Sequence, residues 1–301
     1  MLIKFFSVLI LILSVKAFAF DLSADFKGFV DIGSKELYVD YQAPEEGRPT
    51  VVLLNGLTYT TVQWDKMVKA MKTRGLGVVR YDMDGMGKTL IKYGYPNQPF
   101  PFMDQVTDLN ALLKAIKLPA PYNIAGLSYG GGIGGVFGSK YPKKINNLIL
   151  MAPYTHALEK QDVWIKDQIA MTRFQFPFNP YSDDALYDYF LKEICYTTYP
   201  IVEPIVLEHP YKLEAVFRMT QGIRKLNLND DVARLPKNSV FLVTAEKDQY
   251  IPKEVLEDFW AAIPANAKVE RIIVKNSEHK IPESQPDRAA EIVDDIVSRE
   301  K

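Results

Sequence analysis

The chain of 301 residues carries 36 Lys and Arg against 37 Asp and Glu, is 48% hydrophobic and 24% charged, and so is neither disordered nor fibrous in composition. A formal charge of -1 gives no basic field for nucleic acid and no acidic tail. The single cysteine, Cys195, excludes an intramolecular disulfide, so the core has to hold the fold together, and its setting in FLKEICYTTY reads as a buried, inert thiol.

Residues 1–19 differ from the rest. Lys4 precedes an apolar run from Phe5 to Val15, and Ala17-Phe18-Ala19 places small residues at alternate positions. This is the pattern of a secretory signal cut after Ala19. Lys16 ends the run short of the ~20 apolar residues that a spanning helix needs, so a membrane anchor formed by residues 1–20 is the second reading. The expectation is an exported protein, periplasmic or secreted, whose membrane contact is limited to this segment or to a lipid substrate.

Antiparallel strands are expected at Gly28–Ile32 and Glu36–Gln42, turned by Gly33-Ser34-Lys35. Thr50–Gly56 is an almost continuous apolar run of the kind that is covered on both faces, and Gly77–Asp82 and Tyr122–Gly126 repeat it. Further strands follow from Ile145, at Ser239–Ala245 and from Val269. Helical patterns fit Val62–Arg74, Lys253–Ile263, Ala289–Ser298 and, most clearly, Met103–Lys117, where Val106, Leu109, Leu112, Leu113 and Ile116 share one face. Strands alternating with helices imply parallel pairing through crossovers, an α/β architecture. The rhythm breaks over residues 155–237, which are rich in proline and in aromatics such as Trp164, Phe174, Phe176, Phe178, Tyr181, Tyr189 and Phe190. That stretch reads as a helical cap inserted into a core of residues 20–154 and 238–301, with most of its aromatics packing the cap onto the core and a few lining a cavity.

IAGLSYGG, Ile124–Gly131, sits between a buried strand and a helix. Gly126 and Gly130 flank Ser128 at two residues on either side, which leaves room for a one-residue reversal that presents the hydroxyl at a helix N-terminus. Here the sequence resembles the α/β-hydrolase family, whose nucleophile elbow is Gly-x-Ser-x-Gly. The resemblance implies an eight-stranded, mostly parallel sheet flanked by helices, and a serine activated by a histidine and an acid in that chain order. His279, after the last expected strand and followed by Glu283 and Pro286, takes the place of the base; His156 and His209 read as surface or cap residues. Glu278 stands where the family often has glycine. Asp248, after the strand Ser239–Ala245 and followed by Pro252, takes the place of the acid, with Glu246 as its competitor. Oxyanion donors are then the backbone amides of Tyr129 and Leu57, the latter after Asn55-Gly56 where the family usually has His-Gly. Trp64 and the loop Asp82-Met83-Asp84-Gly85-Met86-Gly87 match further landmarks of the family.

Gly130, Gly132 and Gly135 formally fit a dinucleotide fingerprint, but Met151, Ala152 and Pro153 stand where its acid belongs. Asp82 and Asp84 lack the remaining oxygens of a calcium loop and read as a structural turn. No cofactor or metal is expected. Ser128 argues against the family's aspartate-based epoxide hydrolases and dehalogenases. Its serine members include carboxylesterases, lipases, C-C bond hydrolases, proline iminopeptidases, acyltransferases and perhydrolases. An aromatic-rich cap favours a small-molecule ester with an apolar acyl or alcohol part. An iminopeptidase would need cap acids for the substrate amine, with Asp183, Glu193 and Glu203 available. A binding protein on the same fold, with an idle triad, is the reading from another class.

Overall fold

The computed structural model describes residues 20–57, 59–94, 100–156, 159–198, 212–224 and 226–299. The signal reading of residues 1–19, His209 and Glu203 lie outside the described residues.

Eight strands form one sheet: β1 (Phe26–Asp31), β2 (Glu36–Gln42), β3 (Thr50–Leu54), β4 (Gly77–Asp82), β5 (Tyr122–Leu127), β6 (Ile145–Met151), β7 (Val240–Lys247) and β8 (Lys268–Glu278). Their order is β1-β2-β4-β3-β5-β6-β7-β8. β1 and β2 pair antiparallel, β2 meets β4 antiparallel, and every further pair is parallel. Central strands β4 and β5 are buried along their whole length, as continuous apolar runs require. Parallel strands need crossovers, and these supply the two covering layers.

One layer holds α1 (Asp65–Lys72) and the C-terminal α10 (Pro286–Val297); α2 (Gly87–Tyr93), α3 (Phe102–Ala115) and α4 (Tyr129–Lys140) contribute to the core on the other side. α1 and α10 enclose a core that includes Trp64, Met67, Met71, Ile292 and Val293. On the opposite face α3 and α4 enclose Leu109, Leu112, Ile133 and Phe137. Sequence periodicity placed α3 and α10 well. The expected helix Val62–Arg74 is divided into a 3-10 turn at Thr61–Trp64, whose first amide bonds the Asp82 carboxylate, and α1. α2 was not expected at all; its seven residues are too few for a periodic signal.

Between β6 and β7 run α5 (Glu159–Gln175), α6 (Asp183–Glu193), a π turn at Ile194–Thr198 and α7 (Lys212–Ile223). They share a small core of Ile165, Leu191, Cys195, Val216 and Phe217. Burial pushes the Cys195 thiol up to about 12, which makes it as inert as its sequence setting suggested. The expectation that most aromatics of this stretch pack inward is overturned. Trp164, Phe174, Phe176, Phe178, Tyr181 and Tyr189 are all exposed, since the aliphatic residues and Phe217 already fill the interior. α8 (Lys253–Ala262) and the short α9 (Ile281–Ser284) follow β7 and β8.

Next to α1, a charged ladder crosses the sheet edge. Register aligns Lys27 with Asp40 and Asp40 with Arg80. Arg80 Nη2 donates to Asp40 at 2.8 Å, Lys27 Nζ lies 3.0 Å from the same carboxylate, and Arg80 Nη1 donates to Asp65 at 2.6 Å and to the Thr61 carbonyl. Arg80 and Asp40 are both almost completely buried. Removing one partner of such a pair strands the other. Arg80→Met should therefore lower the unfolding free energy by ~3 kcal/mol, the low end for a buried pair because Lys27 still reaches Asp40; denaturant titration with unchanged m-value checks it.

Candidate active site

Ser128 lies between β5 and α4 with φ 51° and ψ -114°, a left-handed reversal that side chains other than glycine rarely adopt. Its own backbone holds it there. Ser128 N extends the β5–β6 ladder to the Met151 carbonyl at 2.9 Å, and its carbonyl accepts from Gly132 N at 3.0 Å and Tyr154 N at 2.8 Å. The turn is possible only because α4 comes very close to the sheet. A Cβ at Gly126 would lie 2.3 Å from the Gly130 carbonyl oxygen, and one at Gly130 would lie 2.2 Å from the Leu54 carbonyl oxygen. The glycines that suggested a dinucleotide loop are thus inside a buried helix, where they serve packing.

The Tyr129 amide opens α4, a position without an intrahelical acceptor, and so points its N–H and the helix dipole at the region in front of Ser128. The loop after β3 lies against the same turn: a Cβ at Gly56 would stand 3.8 Å from Ser128 Cβ. Leu57 follows directly, and Tyr59 N closes the loop onto the Gly56 carbonyl at 3.0 Å. Asn55, which stands in the family's histidine position, is fully buried. Its Nδ2 donates to the Tyr81 carbonyl at 2.8 Å and its Oδ1 accepts from Trp64 Nε1 at 2.7 Å. Asn55 therefore clamps the loop to β4 and to the 3-10 turn, which gives Trp64 a role that sequence reasoning registered only as a landmark.

β7 and β8 deliver the other two residues side by side. Lys247 pairs with Glu278 in the last rung, so Asp248 and His279 leave adjacent parallel strands together. Asp248 Oδ2 accepts from His279 Nδ1 at 2.9 Å, and Asp248 Oδ1 accepts from the amides of Tyr250 and Ile251, each at 2.9 Å. The carboxylate is thereby fixed at both oxygens. With its proton on Nδ1, the imidazole leaves Nε2 free to accept one. Both side chains are nearly buried, and the Tyr250 ring meets the imidazole edge to face at 5.2 Å.

Glu246, the competing acid, is directed elsewhere. Between Ala245 and Lys247 the register shifts, so that Glu246 alone stands opposite Lys275, Asn276 and Ser277. Glu246 caps the resulting bulge by accepting from Asn276 N at 2.8 Å and Lys275 Nζ at 3.1 Å. Nothing in the sequence marked this bulge except Asn276, which takes φ 54° there.

Asp248 and His279 are thus brought into contact, and Ser128 stands on its turn beside the Gly56 loop. The loops meet again where Lys280 Nζ sits over the Tyr59 ring at 5.7 Å. Among the described hydrogen bonds none joins His279 to Ser128; contacts of this kind tighten when a substrate fills the site. His156 is half-buried, bridges to Asn227 and bonds Thr155, far from this chemistry in role. Asp82 accepts from Thr61 N and Lys88 N at 2.7 and 2.8 Å, and Asp84 pairs with Lys35, which is the structural turn read from the sequence.

An eight-stranded, mostly parallel sheet in this order, with a serine on the turn after its fifth strand, defines an α/β-hydrolase. Residues 45–285 match the family described as serine aminopeptidase, S33, and the chain belongs to that family of hydrolases. A stretch of 110 residues is 27% identical to monoacylglycerol lipase abhd6-B of Xenopus laevis, covering 35% of this chain and 31% of that protein, so the chain spans about a third of that relative's length. Similar solved structures include the α/β hydrolase MGS-M2 from a Medee basin deep-sea metagenome library, at TM-score 0.66 and 17% identity, covering 91% of this chain and 98% of that one. A membrane phospholipase A described as a bacterial virulence factor aligns at TM-score 0.65 and 16% identity, covering 92% and 86%. The enol-lactonase of Burkholderia xenovorans aligns at TM-score 0.62 and 18% identity, covering 90% and 100%. At these identities the likeness is one of fold.

The two acids can be told apart by mutation. Asp248→Asn should reduce kcat/KM by roughly 10²- to 10⁴-fold through the wrong imidazole tautomer. Glu246→Gln should change it less than about threefold while loosening the bulge. Steady-state kinetics on both variants check this, and equal losses would reverse the assignment.

Proposed function

We propose that the protein is an exported serine hydrolase that cleaves a carboxylic ester with an apolar acyl or alcohol part. The observation that carries this reading is the 2.9 Å bond from His279 Nδ1 to Asp248, made by two residues on adjacent strand ends, in a fold whose elbow residue is a serine. A serine hydroxyl is a poor nucleophile until a base takes its proton, and this arrangement supplies an oriented base.

In the proposed cycle Ser128 Oγ attacks the ester carbonyl as its proton passes to His279 Nε2. The Asp248 carboxylate stabilises the imidazolium, and the amides of Tyr129 and Leu57 donate to the tetrahedral oxyanion. Collapse expels the alcohol, which takes the proton from His279. Water then attacks the acyl-enzyme by the same route, releasing the acid and restoring Ser128.

Two acids between β6 and β7 are already engaged, which favours an ester over a peptide amine, while Glu193 is exposed and keeps an amine site within reach. A substrate ammonium needs an available carboxylate. Asp183 is paired with Arg173, and Glu214 is engaged by Lys192, Arg218 and the Tyr196 hydroxyl. Burial would raise the Glu214 carboxyl, but the hydroxyl and ammonium bonds outweigh it and hold it low, so it is already an ionised partner of cations. The family description nevertheless makes an aminopeptidase the second reading. Export rests on the signal pattern of residues 1–19; among the described residues no helix is long and apolar enough to cross a membrane.

A fluorophosphonate probe should label the protein stoichiometrically at Ser128, with labelling abolished in Ser128→Ala and reduced by at least roughly 10³-fold in rate in His279→Ala. Peptide mapping by mass spectrometry gives the site. A panel of p-nitrophenyl esters of graded acyl length beside aminoacyl p-nitroanilides then separates the readings: turnover confined to the anilides would replace the ester assignment, and no labelling of folded protein would favour a binding function.

A further inference from the structure

The turn that joins α5 to α6 presents three phenylalanines to solvent: Phe174 is 88% exposed, Phe176 61% and Phe178 96%. Single exposed apolar residues are ordinary, but three within five positions on one protrusion are not. The turn is also rigidly made. Arg173 donates from Nε to Asp183 at 3.0 Å and from Nη1 to the Asn179 carbonyl at 3.0 Å, and its Nη2 reaches the Tyr181 carbonyl. Asn179 N closes onto the Phe176 carbonyl at 3.0 Å, Asn179 Oδ1 accepts from Tyr181 N at 2.9 Å, and Ser182 caps α6. The rings are therefore held outward by a stapled backbone, and little further ordering is needed when they are buried.

We infer that this turn docks the protein on a phospholipid bilayer by inserting Phe174, Phe176 and Phe178 into the headgroup and acyl boundary. Charge identifies the occupant. From Phe174 to Tyr181 the chain has no ionisable group other than the Tyr181 phenol at the base, and the flanking Arg173 and Asp183 neutralise one another. A low-dielectric medium can accept such a tip without stranding a charge. Area points the same way: three phenylalanines exposed to this degree offer roughly 600 Å² at most, under the ~800 Å² per partner of a stable protein interface. Insertion of a few apolar side chains to a depth of ~5–10 Å is ordinary for interfacial segments, and Tyr181 at the base suits the headgroup level. Docking stands apart from the ester-hydrolase reading, and it would place an apolar ester substrate beside the enzyme.

The test uses the whole chain with Phe178→Cys carrying an NBD fluorophore; Cys195 is buried and does not compete for the label. With phosphatidylcholine vesicles the NBD emission should shift to the blue and be quenched by doxyl-labelled lipid. The same label at Ile273→Cys, on an exposed position of β8, should not respond. Adding Phe174→Ser and Phe176→Ser should weaken the response at position 178 by at least roughly tenfold in lipid concentration. A label at 178 that stays water-like, even when the protein sediments with vesicles, overturns the proposal, as does burial of the label by concentration-dependent self-association without lipid. Hydrolysis of a soluble short-chain ester is read on the same samples. A full NBD response without turnover supports docking and counts against the ester reading alone.

Discussion

Everything at the site depends on how closely α4 approaches the sheet. A helix normally keeps its distance because side chains stand between it and the strands, but here Gly126 and Gly130 let helix backbone rest on strand backbone with no room for a methyl group. That closeness forces the chain to reverse within one residue, and the reversal puts Ser128 at φ 51°. The strain of such a residue, roughly 1–3 kcal/mol, is held by three backbone hydrogen bonds that tie Ser128 to the end of β6, to Tyr154 beyond it and to its own helix. The same geometry leaves the Tyr129 amide unsatisfied within the helix, so a single packing event sets both the Ser128 hydroxyl and the Tyr129 N–H at the end of the sheet.

The opposite wall of the site is organised by a different device. Asn55 is buried without charge, and it converts the loop after β3 into a fixed shelf by bonding Trp64 and the end of β4. The carboxamide of Asn55 serves both ends of this clamp, its Nδ2 donating to the Tyr81 carbonyl and its Oδ1 accepting from the indole. The substitution that looked like a departure in the sequence is thus coupled to a tryptophan nine residues on, which the sequence places but does not connect.

Strand positions and the chain order of Ser128, Asp248 and His279 were legible in the sequence because apolar runs between turn residues carry a strong local signal. The elbow was legible for the same reason: a glycine pair around a serine states its geometry in five residues. What stayed hidden was set by tertiary register. Asp248 was preferred to Glu246 from the sequence, but the bulge in β8 that turns Glu246 away was not legible beyond the hint of Asn276, and α2 is too short to show a period. The aromatics of α5 and α6 were misread for an instructive reason. Hydrophobicity predicts burial only where an interior exists to receive it, and Ile165, Leu191, Cys195, Val216 and Phe217 had already filled the available one.

The bulge in β8 also determines the setting of His279. Strand side chains alternate with a period of two, and in β8 the more buried positions are even up to Val274 but odd after it, at Ser277 and then His279. Before the bulge the odd positions Val269, Arg271 and Ile273 are the exposed series. The irregularity thus takes the odd-numbered His279 out of that series and gives it a buried setting beside Asp248. A β8 that ran on without interruption would set its odd positions toward solvent, so the acid–histidine pair owes its shelter to a break in the strand and not to the strand itself.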